Sequence, residues 1–145
     1  METATKKAKT PCPGPGPLEV CIEVKEIGHN RAFVIPGRIS TGKGETKVPY
    51  INWENRTEGV VRLWFPFGEK VFENHVERKE GKEVKKFKVN EKNFFVAHTF
   101  DIPPKGTLTL FVKDGATDGI YHYHVYCEEI HESAQGNSEP EVVVP

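Results

Sequence analysis

Across Leu18-Glu19-Val20-Cys21-Ile22-Glu23-Val24-Lys25, apolar residues hold the even positions and, Cys21 apart, charged residues hold the odd ones. A period of two marks a strand with one buried face, because successive side chains leave the pleated backbone on opposite sides. Further short apolar-rich blocks follow at 32–35, 48–54, 59–67, 94–102, 107–113, 120–127 and 141–144. Turn chemistry separates them: Pro36-Gly37, Gly42-Lys43-Gly44, Asn55-Arg56-Thr57-Glu58, Pro66-Phe67-Gly68, Pro103-Pro104-Lys105-Gly106 and Asp114-Gly115. No segment sustains a 3.6-residue period long enough for an ordinary helix, and no internal repeat is visible. The chain reads as all-β: a Greek-key β-sandwich of about eight strands. Val20, Ile22, Trp53, Leu63, Phe65, Tyr123 and Val125 are the expected core, with Trp64 facing outward.

At 145 residues the chain has the size of one ordinary domain. Residues 1–17 are expected to be a disordered tail, since Pro11-Cys12-Pro13-Gly14-Pro15-Gly16-Pro17 removes backbone donors and holds the chain extended. Residues 18–145 form the expected domain. Twenty Lys and Arg against 21 Asp and Glu leave a net charge of −1, which argues against a nucleic-acid partner. No apolar run is long enough to span a bilayer, so no membrane role is expected. Segment 69–92 carries eight Lys/Arg and six Asp/Glu, the composition of a solvated strand face or mobile insertion.

Three scattered cysteines, Cys12, Cys21 and Cys127, form neither a disulfide framework nor a zinc ribbon. No signal peptide is evident, so a cytoplasmic, reducing setting is expected, or a periplasmic or secreted one had a leader been removed. Cys21 falls on the outward parity and is expected as a reduced thiol, with Cys12 its partner under oxidising conditions. Cys127 falls on the inward parity and reads as a small buried hydrophobe.

Two stretches resemble the cupredoxin family, small sandwich proteins that include plastocyanin, azurin and stellacyanin. The first is Ile51-Asn52-Trp53-Glu54-Asn55-Arg56-Thr57, similar to the family's central strand and its aromatic-x-Asn corner. The second is Ile120-Tyr121-His122-Tyr123-His124-Val125-Tyr126-Cys127, an aromatic strand running into a cysteine before a loop and a last Val-rich strand. With the strand order, the resemblance spans about 18–145. It implies a type 1 copper site as the alternative function, for electron transfer or copper handling: Cys127 as thiolate, His131 as an imidazole and Gln135 as axial ligand. The first family imidazole, expected just past the corner, has no counterpart in Thr57-Glu58-Gly59-Val60-Val61-Arg62. His75 or His98 would have to supply it through an unusual loop.

His122 and His124, two residues apart on an expected strand, share its outward face and are a weaker surface metal candidate. No nucleophile elbow, zinc-protease motif or dinucleotide fingerprint occurs, so no enzyme activity is expected. Asn55-Arg56-Thr57 matches the glycosylation sequon, a pattern common by chance. The function expected from sequence is a non-catalytic binding or interaction module for a protein or small-molecule partner, without a complete copper site and without a resident cofactor.

Overall fold

The computed structural model describes residues 19–27, 29–88, 94–133 and 140–145. The expected tail and Gln135 lie outside them. The chain is mostly β. Thirteen strands are seen among the described residues: β1 (Glu19–Ile27), β2 (His29–Ile35), β3 (Arg38–Ser40), β4 (Tyr50–Asn55), β5 (Val61–Trp64), β6 (Phe72–Glu80), β7 (Glu83–Lys88), β8 (Phe100–Ile102), β9 (Thr107–Val112), β10 (Gly119–His122), β11 (His124–Cys127), β12 (Glu132–Ser133) and β13 (Glu141–Val144). Two single-turn helices, α1 (Gly68–Val71) and α2 (Phe94–Ala97), interrupt them.

The strands form three sheets. Six strands run in the order β2-β1-β4-β9-β6-β7, four in the order β12-β11-β5-β8, and three in the order β10-β13-β3. Pairing is antiparallel except between β1 and β4 and between β13 and β3. Buried side chains from all three sheets join one core: Val20, Ile22 and Trp53 from the six-stranded sheet, Leu63 and Val125 from the four-stranded sheet, Val142 from the small one. Every residue expected in the core from parity is buried. At its centre Trp53 touches Phe65, Phe72 and Tyr123 edge-on, with ring centroids 4.9, 6.2 and 5.7 Å away. Edge-to-face aromatic packing adds about 0.5–1.5 kcal/mol per pair beyond area burial.

The count of about eight strands is corrected to thirteen, and the reasons are local. The block 120–127 is not one strand. Residues up to His122 pair with β13, whereas His124 onward pairs with β5. Tyr123 sits at the switch, its amide donating to the Pro140 carbonyl at 3.1 Å and its ring buried in the core. A chain that changes sheets turns a corner between them. Block 94–102 is likewise not one strand. It begins with α2, where Phe94 and His98 stack at 4.5 Å across one helical turn, the spacing at which i and i+4 side chains meet. That turn also buries Phe95 over Gly68, where an added Cβ would collide with the Phe95 ring. The charged segment is largely the β6–β7 hairpin, turned at Gly81, whose φ of +64° lies in the region glycine adopts without strain.

Candidate functional site

The residues implied by the family resemblance come first. Cys127 ends β11 with no exposed surface and is a free thiol. Burial, with the Glu129 charge second, pushes it up to about 11, so the group is a neutral core thiol at neutral pH. His131 is exposed on the following turn with φ +52°, its amide donating to the Glu128 carbonyl. His75 belongs to a different sheet, on β6, and lies flat on Phe111 with ring centroids 4.6 Å apart. His98 stacks on Phe94 beside α2. Among the described residues, no three His, Cys, Asp or Glu side chains gather where a metal ion would sit.

His122 and His124 are both exposed, as parity requires. The expectation that they share one strand is corrected by the switch at Tyr123. His122 faces β13 with its Nδ1 3.8 Å from Glu141 Oε2, and that carboxylate also receives Arg38 Nε at 2.7 Å. His124 stacks on Trp64 of β5 at 5.1 Å. Trp64 is only half-buried, and its indole N–H donates to the Val96 carbonyl, tying β5 to the end of α2.

The expectation for Cys21 is corrected as well. The residue does lie on the outward face of β1, beside Glu54 of β4, yet it is buried and disulfide-bonded rather than an exposed reduced thiol. Cys12, the partner considered from sequence, lies outside the described residues. The sequon proves structural. The Asn55 side chain has no exposed surface, its amide N–H groups donate to the Gly59 and Ile102 carbonyls, and its oxygen accepts from the Thr57 amide and hydroxyl. An asparagine with both ends occupied inside the core has no face for a glycan.

The feature that sequence reasoning did not find is the outward face of the six-stranded sheet. Strand register assembles it into cross-strand rows. Tyr50 on β4 stands opposite Phe111 on β9, with ring centroids 6.4 Å apart, and His75 on β6 continues the row. One step along, Glu19, Asn52, Thr109 and Glu77 align across β1, β4, β9 and β6. Thr109 Oγ1 donates to Asn52 Oδ1 at 2.7 Å, and Asn52 Nδ2 donates to Glu19 Oε1 at 3.0 Å. Lys86 on β7 ends this row 3.9 Å from Glu77. The next row carries Thr107, Lys79 and Val84.

A groove of about 440 Å³ lies over these rows, and a second of about 470 Å³ opens toward Lys47 and Asp114. Both are open to solvent, and Phe111 lines both. An aromatic row on a solvent-facing sheet is the unusual element here, because the outward parity of such a sheet is ordinarily polar. The signal was present in the sequence, in Tyr50 and Phe111 at the polar parity of their strands. Their adjacency depends on register between strands sixty residues apart in the chain, roughly, and no local pattern reports it.

The sequence matches no family model and no curated protein.

Proposed function

We propose that this chain is a non-catalytic binding module on a cupredoxin-like Greek-key β-sandwich, with the outward face of the six-stranded sheet as its binding surface. One observation carries the reading: the aromatic row Tyr50–Phe111–His75, half-buried at Tyr50 and Phe111 and exposed at His75, lies beside a hydrogen-bonded polar row, with two grooves over the sheet that meet at Phe111. Exposed aromatic surface bordered by fixed polar groups is the composition of a recognition site. The sandwich is supported by a single core shared among the sheets, by the parallel β1–β4 pairing, and by the Asn55 corner after Trp53. The disulfide at Cys21 favours an oxidising compartment over the reducing one expected from sequence.

The test is a ligand screen followed by amide NMR on the ¹⁵N-labelled protein, using a mixed library of sugars, nucleotides, short peptides and aromatic fragments. Shifts that saturate and cluster at Asn52, Thr109 and Phe111 are expected. Binding confined to other surfaces, or no binding at all, overturns the reading. A thiolate–copper charge-transfer colour on adding Cu(II) would replace it with the copper alternative.

A further inference from the structure

We propose that the free edge of β7 takes up an extended acidic segment of a protein partner as a seventh strand of the six-stranded sheet, an interaction that does not depend on the outward face described above. β7 ends the sheet order, so among the described residues it has a strand on one side only. In an antiparallel pair alternate residues bond to the neighbour, and the backbone N–H and C=O groups of the others point away from it, here toward solvent. Pairing with β6 runs from His75 opposite Lys88 to Glu80 opposite Glu83 without a bulge, and the strand Glu83-Val84-Lys85-Lys86-Phe87-Lys88 contains no proline. Every residue of it is exposed. The opposite edge differs: on β2 Ala32 is buried, and Phe33, Val34 and Ile35 are half-buried.

Charge and side-chain placement select the partner. Lys82, Lys85, Lys86 and Lys88 stand against a single carboxylate on this segment, Glu83. Across on β6, Lys85 faces Arg78 and Lys88 faces His75, while Lys86 has Glu77 at 3.9 Å. Lysines on an edge strand ordinarily prevent pairing, and here they do exclude a second copy. A two-fold axis that matches faces and pairs five residues of each β7 sets Lys85 against Lys85 or Lys86 against Lys86. Exclusion alone needs no apolar side chains, yet Val84 and Phe87 are 50% and 38% exposed. Phe87 lies opposite the buried Val76, so the apolar inner face of the sheet runs on to an exposed strand. Val84, Lys86 and Lys88 project on the other face. A polyanion lying on one face reaches only part of this set. An added strand reaches both faces, because its own side chains alternate, and its backbone pairs the free edge. The complement of Val84–Phe87 is apolar-acidic-acidic-apolar in either strand direction, with a further acid opposite Lys88.

The test titrates the peptide acetyl-Thr-Glu-Val-Glu-Glu-Val-Glu-Thr-amide into the ¹⁵N-labelled protein. Three controls run beside it: the same peptide with Lys for every Glu, the same peptide N-methylated at both Val, and oligo-dT as a polyanion. The two Val differ in parity, so one of the methylated nitrogens faces β7 in any register. The acidic peptide is expected to shift the amides of Val84 to Lys88 saturably, with Kd of about 1 mM or tighter, and to slow hydrogen exchange along β7. The lysine peptide and the N-methylated peptide are expected to bind at least about tenfold more weakly. Lys85→Glu combined with Lys88→Glu is expected to weaken the acidic peptide by a similar factor, with the Trp53 and Leu110 amide shifts unchanged as the sign of an intact fold. Failure of the acidic peptide to shift β7 overturns the proposal, as does undiminished binding by either control peptide or in the double variant. Oligo-dT shifting β7 while the peptide does not, or a dimer of the free protein with β7 amides protected, gives the edge to another occupant and overturns it too.

Discussion

The indole N–H of Trp53 donates to the phenolic oxygen of Tyr123 at 3.1 Å, with both side chains wholly enclosed. The bond joins the middle of the six-stranded sheet to the residue at which the chain passes from the small sheet to the four-stranded one. Tyr123→Phe keeps the ring and deletes the acceptor, leaving a buried donor without its partner. Such a group costs about 1–3 kcal/mol, so a drop of that size in unfolding free energy is expected by urea denaturation. Trp53→Phe in the same background is expected to show less than additive loss, because the donor has gone as well.

Alkaline pH should weaken the fold through two buried acids. Burial raises Tyr123 above its ordinary range, and raises Cys127 from 9.0 to about 11. A folded-state pKa above the unfolded one means that the native protein holds its proton longer. The stability this represents is complete below the unfolded pKa and is lost as pH rises through the folded one. For Cys127 the window runs from 9.0 to about 11, and the loss is on the order of 2 kcal/mol. Unfolding free energy measured across that window should fall more steeply for the wild type than for Cys127→Ala.

Asn55 closes the corner after β4 with four hydrogen bonds to Gly59, Ile102 and Thr57. Asn55→Ala removes the side-chain partners of the buried Ile102 carbonyl and Thr57 amide, while the Gly59 carbonyl keeps the Thr57 hydroxyl, and a loss of about 2 kcal/mol is expected. The thermal midpoint should drop by at least roughly 5 °C. Folded protein made in a glycosylating host should remain unmodified at Asn55, which intact-mass measurement reads directly.

Parity alone found the interior. Val20, Ile22, Trp53, Leu63, Phe65, Tyr123 and Val125 hold the inward parity of their segments, and each lies in the core. Alternation reports only which side of its own strand a residue occupies. It therefore missed the sheet change at Tyr123, which depends on which strands reach the two halves of one block. It missed α2 because Phe94 and Phe95 are apolar in any conformation, and only packing on Phe100 and Gly68 selects the helical turn. Cys21 was assigned to the right face and the wrong environment, since a disulfide is a property of the assembled chain. The aromatic row escaped for the same reason: Tyr50, Phe111 and His75 come from three separate strands.

The thiols should separate cleanly by reactivity. Cys21 is disulfide-bonded, and Cys127 is reduced but fully enclosed and held protonated. A thiol reagent added to the native protein is expected to label neither residue at an appreciable rate, because the reacting species is an accessible thiolate. In denaturant without reductant, Cys127 alone of the two should label, and Cys21 should follow only after reduction, as peptide mass mapping would show. Labelling of Cys21 before reduction would mean that its disulfide is absent.

Gly68 tests the junction between the hairpin and α2. It opens α1 and is buried, and the space a Cβ would need is filled by the Phe95 ring. Phe95 cannot retreat without disturbing Phe72, 6.3 Å away, and Phe100, 5.8 Å away, both of them core residues. Gly68→Ala is therefore an overpacking substitution, expected to cost about 1–3 kcal/mol although alanine favours a helix more than glycine does. Pairing it with Phe95→Leu, which frees the volume that the new methyl occupies, should return part of that loss relative to Phe95→Leu alone. A Gly68→Ala protein as stable as the wild type in urea would show that Phe95 does not seal this junction.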